Sequence, residues 1–259
     1  MTTLYEHPLS PYAQKVKIAL LEKGVKFDLQ MPNLLGGDEE FARVSPRREV
    51  PALVDGDHTI FDSTIILEYI EDRWPKPPLL PAEPAARARV RMIEEVCDTY
   101  YEAVNWAAFE IQIFKRATGG LAEELLARAS QQRKGANAWL ERQLGDQPWF
   151  NGTQFGWGDL SAVPVVAASA AVGDPPSGRL GAWLARASER PSVKTTLDAA
   201  AAVMPSFDQV GQLVNSGMFK REYRDHRLEW MLRSGGTQIV LDGIKAGNIR
   251  FSTELEEAP

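Results

Sequence analysis

Residues 3–24 read TLYEHPLSPYAQKVKIALLEKG, and this stretch sets the topology of the N-terminal half. An apolar strand start runs into Ser10 and Pro11, and an amphipathic helix follows that ends at Gly24. Serine is a good N-cap and proline is favoured at the first helical position, so local structure alone accounts for the pair. A second interpretation is chemical, because free N–H groups, the helix dipole and a hydroxyl converge there and suit an anion.

The composition limits the classes of protein to consider. The chain has 259 residues, 44% of them hydrophobic, enough for two compact domains. A formal charge of −6 and a pI near 5.3 argue against broad nucleic-acid binding. Cys97 is the only cysteine, which excludes internal disulfides, thiolate metal clusters and a CxxC redox pair. With no apolar run of ~18 residues and no secretory signal, we expect a cytoplasmic protein with no metal, nucleic-acid or membrane partner.

Hydrophobic period and turn residues divide the chain into an α/β part and a helical part. Strand and helix patterns in the first part follow the order β-α-β-α-β-β-α. The segment WPKPPLLPAEPAA has five prolines and predicts an extended linker, after which helical spacing dominates. We predict domains at residues 1–76 and 87–215, joined by a linker at 77–86. Residues 216–259 carry a weaker pattern and are expected to form an irregular extension.

Two further motifs bear on function. In SPRREVPALVDGD a Val-Pro pair precedes a hairpin, which indicates either an edge strand or a cis-proline that turns the Val50 backbone outward to a peptide-like ligand. In FDSTIILEYIEDRWP, Ser63 is a candidate helix cap and Asp62 precedes it. A free Asp62 carboxylate suits an amine, while Ser63 and the first helical N–H groups suit a carboxylate. An amine beside a carboxylate is the head of an α-amino acid.

In this order, the strand–Ser10-Pro11–helix unit, VPAL, DSTIILEYIEDRWP, the proline linker and the helical region resemble the cytosolic glutathione transferase superfamily. The resemblance covers about residues 3–205. It implies a thioredoxin-like α/β N-terminal domain followed by an all-α C-terminal domain. FGWGDLSAVP adds a further match, with Asp159 in the place of the family's buried capping box and Gly156 instead of its hydroxyl residue. Glycine is an acceptable N-cap, so this departure leaves the fold intact.

The resemblance implies a role for each residue of the three motifs. Ser10 matches the catalytic serine of serine-type classes, where omega and beta classes carry cysteine. Val50, before a cis Pro51, would pair with the backbone of the cysteinyl unit of glutathione. Asp62 and Ser63 would hold the γ-glutamyl amine and carboxylate. Glutathione is thus the implied co-substrate, and no metal is implied.

One position departs from the family pattern. Many relatives carry lysine or glutamine immediately before Val-Pro, whereas this chain has Glu49, which cannot attract the glycyl carboxylate of glutathione. Arg48 is the expected substitute. Tyr5 falls near the tyrosine that serves other classes as thiol donor, and here we expect either packing or indirect support of the site, since Ser10 lies closer to the helix start.

The mechanism that the resemblance implies is thiolate activation. A free thiol with a pKa of ~8.5 is only a few per cent ionised at neutral pH. Ser10 would donate a hydrogen bond to the sulfur, with the dipole of the following helix behind it. The apolar acceptor pocket is expected to comprise Tyr12, Tyr100, Tyr101, Trp106 and Phe109. Met204, Phe207 and Phe219 are candidates to cover it from the C-terminal side.

Several functions remain open at this stage. The leading hypothesis is a bacterial serine-type transferase, loosely similar to the omega-like and lignin-ether-degrading branch, that conjugates, dehalogenates or cleaves the ether of a hydrophobic electrophile. Isomerisation and peroxide reduction would use the same thiolate. The alternative is a non-catalytic binding or regulatory protein that kept the fold. The family usually forms two-fold dimers, so we expect a homodimer.

Overall fold

The computed structural model describes residues 1–33, 38–203, 211–214 and 216–251. The N-terminal elements are β1 (Thr2–Tyr5), α1 (Pro11–Glu22), β2 (Asp28–Gln30), α2 (Glu39–Val44), β3 (Ala52–Asp55), β4 (His58–Phe61) and α3 (Ser63–Arg73). They form a four-stranded sheet in the order β2-β1-β3-β4. β1 runs parallel to β2 and antiparallel to β3, and β3 forms a hairpin with β4. The strand order confirms the predicted thioredoxin-like α/β domain.

The second part of the chain is helical. Its elements are α4 (Pro84–Val96), a π-helical turn (Cys97–Tyr101), α5 (Glu102–Gln112), α6 (Gly119–Leu144), α7 (Trp157–Ala171), α8 (Gly178–Ser188) and α9 (Pro191–Val203). α4, the π-helical turn and α5 follow one another without a break in helical backbone. This part confirms the predicted all-α domain. Within the described ranges, no helix is long and apolar enough to cross a membrane.

α1 joins the two parts of the fold. It packs against α3 of its own domain and against α7 and α9 of the helical domain. Its buried Lys15 ammonium lies 2.5 Å from Glu94 on α4 and 2.5 Å from Asp98 in the π-helical turn. Burial raises the pKa of Asp98 to about 6, against the opposing effect of Lys15. Removing one partner of such a buried ion pair costs about 3–5 kcal/mol, so Lys15 holds the domains in a fixed relation.

The start of α7 shows why glycine replaces the family's hydroxyl residue. The Asp159 carboxylate accepts the N–H of Gly156 at 3.0 Å and that of Phe150 at 2.9 Å. A Cβ at Gly156 would lie 2.4 Å from the carbonyl oxygen of Leu79 and 2.0 Å from the Asn151 amide nitrogen. There is no space for a side chain, and the backbone N–H alone completes the cap.

Between residues 216 and 251 the C-terminal segment forms helices and strands, so the expectation of an irregular extension is wrong for this described part. It contains β5 (Arg221–Glu222), α10 (Asp225–Arg233), α11 (Thr237–Ala246) and β6 (Ile249–Arg250), with β5 and β6 paired in parallel. Buried Met231 and Tyr223 pack with Trp106 and Leu125 of α5 and α6 in a second hydrophobic core. The segment folds because its own apolar residues pack against those of α5 and α6.

Candidate active site

A cleft of about 1510 Å³ lies between the α/β domain and the helical domain. The sequence-predicted residues that line it are Ser10, Tyr12, Arg48, Val50, Pro51, Asp62, Ser63, Trp106, Phe109 and Phe219. One side of the cleft is formed by residues at the starts of α1 and α3 and at the end of the loop before β3. The other side is formed by aromatic side chains of α5. A peptide-like ligand on the first side would face an apolar pocket on the second.

Ser10 is the N-cap of α1. Its Oγ accepts the N–H of Ala13 at 3.3 Å, and Pro11 occupies the first helical position. A hydroxyl that accepts through a lone pair still has its own proton to donate. Both interpretations of the opening motif are thus compatible, since the cap places the Ser10 hydroxyl at the positive end of the α1 dipole.

The Val50–Pro51 peptide bond is cis, as predicted. Pairing of β3 with β1 begins at Ala52, so Val50 lies before the ladder. Within the described part of the chain, the N–H and C=O of Val50 have no hydrogen-bond partner. An unpaired donor and acceptor on one residue is what an extended peptide needs to add itself as a further strand.

The start of α3 differs by one residue from the sequence-based assignment. Asp62, not Ser63, is the N-cap, and its Oδ1 accepts the N–H groups of Thr64 at 3.1 Å and Ile65 at 3.3 Å. Asp62 also has a positive φ of 76°, unusual for a residue other than glycine. Only part of the Asp62 carboxylate is therefore available to a ligand, because Oδ1 caps the helix. The other oxygen has no partner among the described residues.

Ser63 becomes the first residue of α3 and is buried. Its N–H and its hydroxyl have no hydrogen-bond partner among the residues described. A helix N-terminus with an unused N–H and an adjacent hydroxyl is suited to a carboxylate. The chemical expectation for the pair survives the change of cap.

The loop before Val50 meets the C-terminal segment. Arg48 is exposed at the cleft rim with a φ of 53°. Glu49 lies 3.5 Å from Arg224, and Arg250 donates to the carbonyl oxygens of Arg47 and Arg48. Burial raises the pKa of Glu49 to about 7, assisted by Glu222 and opposed by the arginines. Glu49 is therefore partly neutral at neutral pH.

Two of the five predicted acceptor residues lie elsewhere. Tyr101 is fully buried in the main core and donates to Asn137 on α6, and Tyr100 is exposed to solvent. The cleft-facing side chains on this helix are Asp98, Thr99, Glu102, Asn105, Trp106 and Phe109. These positions repeat at helical spacing, and residues 100 and 101 fall between them on other faces. Tyr12, Trp106 and Phe109 remain as cleft residues.

Tyr5 does not line the cleft. It stacks on Phe41 with ring centroids 5.7 Å apart, in a small core with Val44 and Ala52. Its place is thus in packing between the sheet and α2, the first of the two expected roles.

The C-terminal segment supplies cleft residues that the sequence did not reveal. They are Arg221, Glu222, Arg224, Asp225, His226, Arg227 and Arg250. The dense charged run KREYRDHR, ahead of an amphipathic helix, is the signal in the sequence that would have found most of them. Phe219 lies in the same wall, as predicted, whereas Met204 and Phe207 are outside the described residues.

A network of hydrogen bonds connects side chains that line the cleft. The Tyr12 hydroxyl donates to the main-chain oxygen of Asp98 at 2.8 Å and lies 3.1 Å from His226 Nε2. The same nitrogen is 3.0 Å from Glu102 Oε2, and Glu102 is also bound by Arg227 at 2.5 Å. Tyr12, Glu102 and His226 line the same cleft as the candidate catalytic serine.

Comparison with known proteins identifies matches in both domains. Residues 4–78 match the family model for the glutathione S-transferase N-terminal domain, and residues 123–186 match that for the C-terminal domain. Glutathione S-transferase U28 of Arabidopsis thaliana is 31% identical over 203 residues, which cover 73% of this chain and 84% of that protein. The structure of rice GST1 in complex with glutathione superposes with a TM-score of 0.67 at 25% identity, covering 82% of this chain and 96% of that one.

Other relatives match over shorter stretches of the chain. A stringent starvation protein A homolog of Coxiella burnetii is 42% identical over 91 residues, 35% of this chain and 44% of that protein. One of Haemophilus ducreyi is 37% identical over 123 residues, 46% of this chain and 57% of that protein. The chain thus spans about half the length of these two curated relatives.

Proposed function

The chain belongs to the glutathione S-transferase family, and from this we propose that it activates the thiol of glutathione for attack on a hydrophobic electrophile. The reaction class is conjugation, ether cleavage or dehalogenation. The observation that carries the proposal is the convergence of three unsatisfied groups in one cleft, namely the Ser10 hydroxyl proton, the Val50 backbone and the α3 N-terminus. Each matches one part of a γ-glutamyl tripeptide.

The residues of the cleft fit glutathione in the order of its units. Ser63 N–H and Oγ would take the γ-glutamyl carboxylate, and the free oxygen of Asp62 would take the amine. Val50 would pair with the cysteinyl backbone. Arg48 at the rim is proposed to meet the glycyl carboxylate, together with the arginines of the C-terminal segment.

Ser10 is proposed as the catalytic donor to the thiolate. Its hydroxyl forms no covalent intermediate and stabilises the anion by one hydrogen bond, with the α1 dipole adding to it. Each unit by which such a site lowers a thiol pKa corresponds to about 1.4 kcal/mol of selective anion stabilisation. A serine cannot form the mixed disulfide that a cysteine would form, so thiol transfer is not proposed.

The second substrate is proposed to lie against α5. Trp106 and Phe109 present aromatic surface to the cleft, and Pro164, Val165 and Ala168 of α7 extend it. An apolar wall favours a hydrophobic acceptor. We place the protein in the bacterial serine-type branch and propose a cytoplasmic homodimer, with domain boundaries at residues 76 and 87.

The test is a titration of glutathione into the wild type and Ser10→Ala, following the ultraviolet band of the thiolate against pH. We expect both to bind glutathione and the thiol pKa to be lowered only in the wild type. Ser10→Ala also loses a helix cap, so a stability loss of about 1 kcal/mol is expected. Ser177→Ala is the matched control, since Ser177 begins α8 without a side-chain cap bond. An unshifted pKa in the wild type would contradict the proposal.

A second candidate is a non-catalytic binding or regulatory protein. Two observations favour it, the Glu49 carboxyl at the expected glycyl subsite and the likeness over part of the chain to proteins named for stringent starvation. This candidate predicts no binding at millimolar glutathione in the same titration, so one experiment separates the two functions.

A further inference from the structure

His226 is a cleft residue that the proposed transferase mechanism does not use. It lies at the start of α10, and its side chain is about a quarter exposed (24%) in the wall of the cleft that holds Ser10. The inference that follows deepens the proposed function and rests on it.

The hydrogen bonds around the ring fix its orientation. The Tyr12 hydroxyl donates its hydrogen to the main-chain oxygen of Asp98. The Tyr12 oxygen can therefore only accept a hydrogen bond from His226. Nε2 is therefore the nitrogen that carries a hydrogen towards Tyr12 and Glu102. Nδ1 has no hydrogen-bond partner among the described residues, which leaves one ring nitrogen of His226 for a ligand.

The carboxylate beside the ring is ionised. Burial alone would raise the pKa of Glu102, but Arg227 and the hydrogen bond from His226 outweigh it and lower the pKa to about 2. Glu102 is therefore an anion at every working pH, and its Oε2, 3.0 Å from Nε2, accepts the ring hydrogen. The charged and titratable groups around the ring are Tyr12, Asp98, Glu102, Arg224, Asp225 and Arg227.

We propose that His226 is a further catalytic residue, which protonates an oxygen leaving group on the acceptor substrate, and that the acceptors include electrophiles whose carbon–oxygen bond is broken. The same cleft is lined by the proposed thiol-activating serine and by the imidazole, and the Tyr12 hydroxyl, which also lines it, contacts His226. The α5 aromatic wall holds the apolar part of the acceptor between them.

The reaction step balances without an added reactant. The thiolate sulfur attacks the carbon that bears the oxygen, a carbon–sulfur bond forms and the carbon–oxygen bond breaks. The departing oxygen takes the proton of the imidazolium and leaves as an alcohol or phenol. The neutral imidazole is reprotonated from solvent, and the proton lost when glutathione became a thiolate closes the balance.

A matched pair of substrates measures the contribution of this proton transfer to the rate. 1-Chloro-2,4-dinitrobenzene expels chloride, which needs no proton, whereas 2,4-dinitroanisole has the same ring and expels methoxide, a worse leaving group than the attacking thiolate. General acid catalysis contributes about 10²–10⁴-fold. We expect His226→Gln, which keeps a hydrogen-bond donor, to lower the anisole-to-chloro rate ratio about hundredfold. His58→Gln, on the exposed β4, should keep the wild-type ratio.

The outcomes are distinct. An unchanged ratio in His226→Gln, including an equal loss on both substrates, overturns the proposal, and so does a wild type that uses the chloro compound but not the anisole. A wild type inactive on both while binding no glutathione overturns the proposed function itself. If His226→Gln does not fold, the wild type decides: a larger rate decrease in D₂O for the anisole than for the chloro compound supports proton donation, and equal decreases contradict it.

Discussion

At the scale of single residues, Glu49 is the charge that bears on the proposed glycyl subsite. Its carboxyl lies at the junction of the Val50 loop and the C-terminal segment, near Glu222 and 3.5 Å from Arg224. Because its pKa is raised to about 7, the group is neutral below neutral pH and becomes an anion above it. A new anion at this place opposes the glycyl carboxylate that Arg48 is proposed to bind.

We therefore predict that affinity for S-methylglutathione, which has no thiol to ionise, falls as pH rises from 6 to 8. One charge ~4 Å away corresponds to about 1 kcal/mol in bulk water, or about fivefold in Kd. Glu49→Gln should remove the pH dependence, as measured by calorimetric titration. Asp57→Asn, in the exposed β3–β4 turn, is the control and should retain it. A pH profile identical in Glu49→Gln and the wild type would rule out this role.

At the scale of elements, the N-terminus of α3 combines a cap with a ligand site. Asp62 Oδ1 caps two N–H groups, and its other oxygen is assigned to the γ-glutamyl amine. Asparagine can reproduce the cap and tolerates positive φ, but it lacks the charge. The two roles of Asp62 are thus separable by substitution.

Asp62→Asn should weaken glutathione binding about tenfold while the free energy of unfolding changes little, because only a charge-assisted hydrogen bond is lost. Asp62→Ala should weaken binding and also lose about 1–2 kcal/mol of stability with the cap. Glu83→Ala removes the corresponding cap of α4, away from the cleft, and should lower stability alone. Denaturant unfolding and glutathione titration measure both quantities; equal binding by Asp62→Asn and the wild type would refute the assignment.

At the scale of the whole molecule, two hydrophobic cores meet at the cleft. The larger one joins the α/β domain to the helices, and the second joins α5 and α6 to the C-terminal segment. Tyr223 packs edge-on to Trp106 with ring centroids 4.7 Å apart, so the segment supports the acceptor wall from behind. Cleft shape therefore depends on residues far along the chain.

Neighbouring residues of α10 test this second core. Met231 is fully buried and Leu232 is 44% exposed. We predict that Met231→Ala lowers the free energy of unfolding by about 2–5 kcal/mol, since it leaves a cavity, whereas Leu232→Ala changes it by about 0.5 kcal/mol or less. Urea unfolding followed by tryptophan fluorescence measures both. Equal losses in the two variants would show that the segment is not packed on α5.

Sequence reasoning found the glutathione half of the cleft and missed much of the acceptor half. Ser10 and the Val50–Pro51 pair lie where the motifs placed them, because caps and proline geometry are local. The α3 cap was displaced by one residue, because only the backbone angle of Asp62 shows which carboxyl or hydroxyl reaches the free N–H groups. The prediction that Tyr100 and Tyr101 line the cleft was wrong. The helical spacing of apolar residues identifies the faces of a helix, but it does not show which face lies against the cleft.

The sequence by itself determined the order of elements, the two-domain class and the serine at the start of α1. Each follows from interactions within a few residues or from one hydrophobic period. Only the tertiary structure decided the surroundings of Glu49 and the contact between Tyr12 and His226. These two residues are separated by 214 positions in the sequence. Burial and charge pairing between such distant residues depend on how helices pack, and packing is a property of the assembled cores rather than of any local motif.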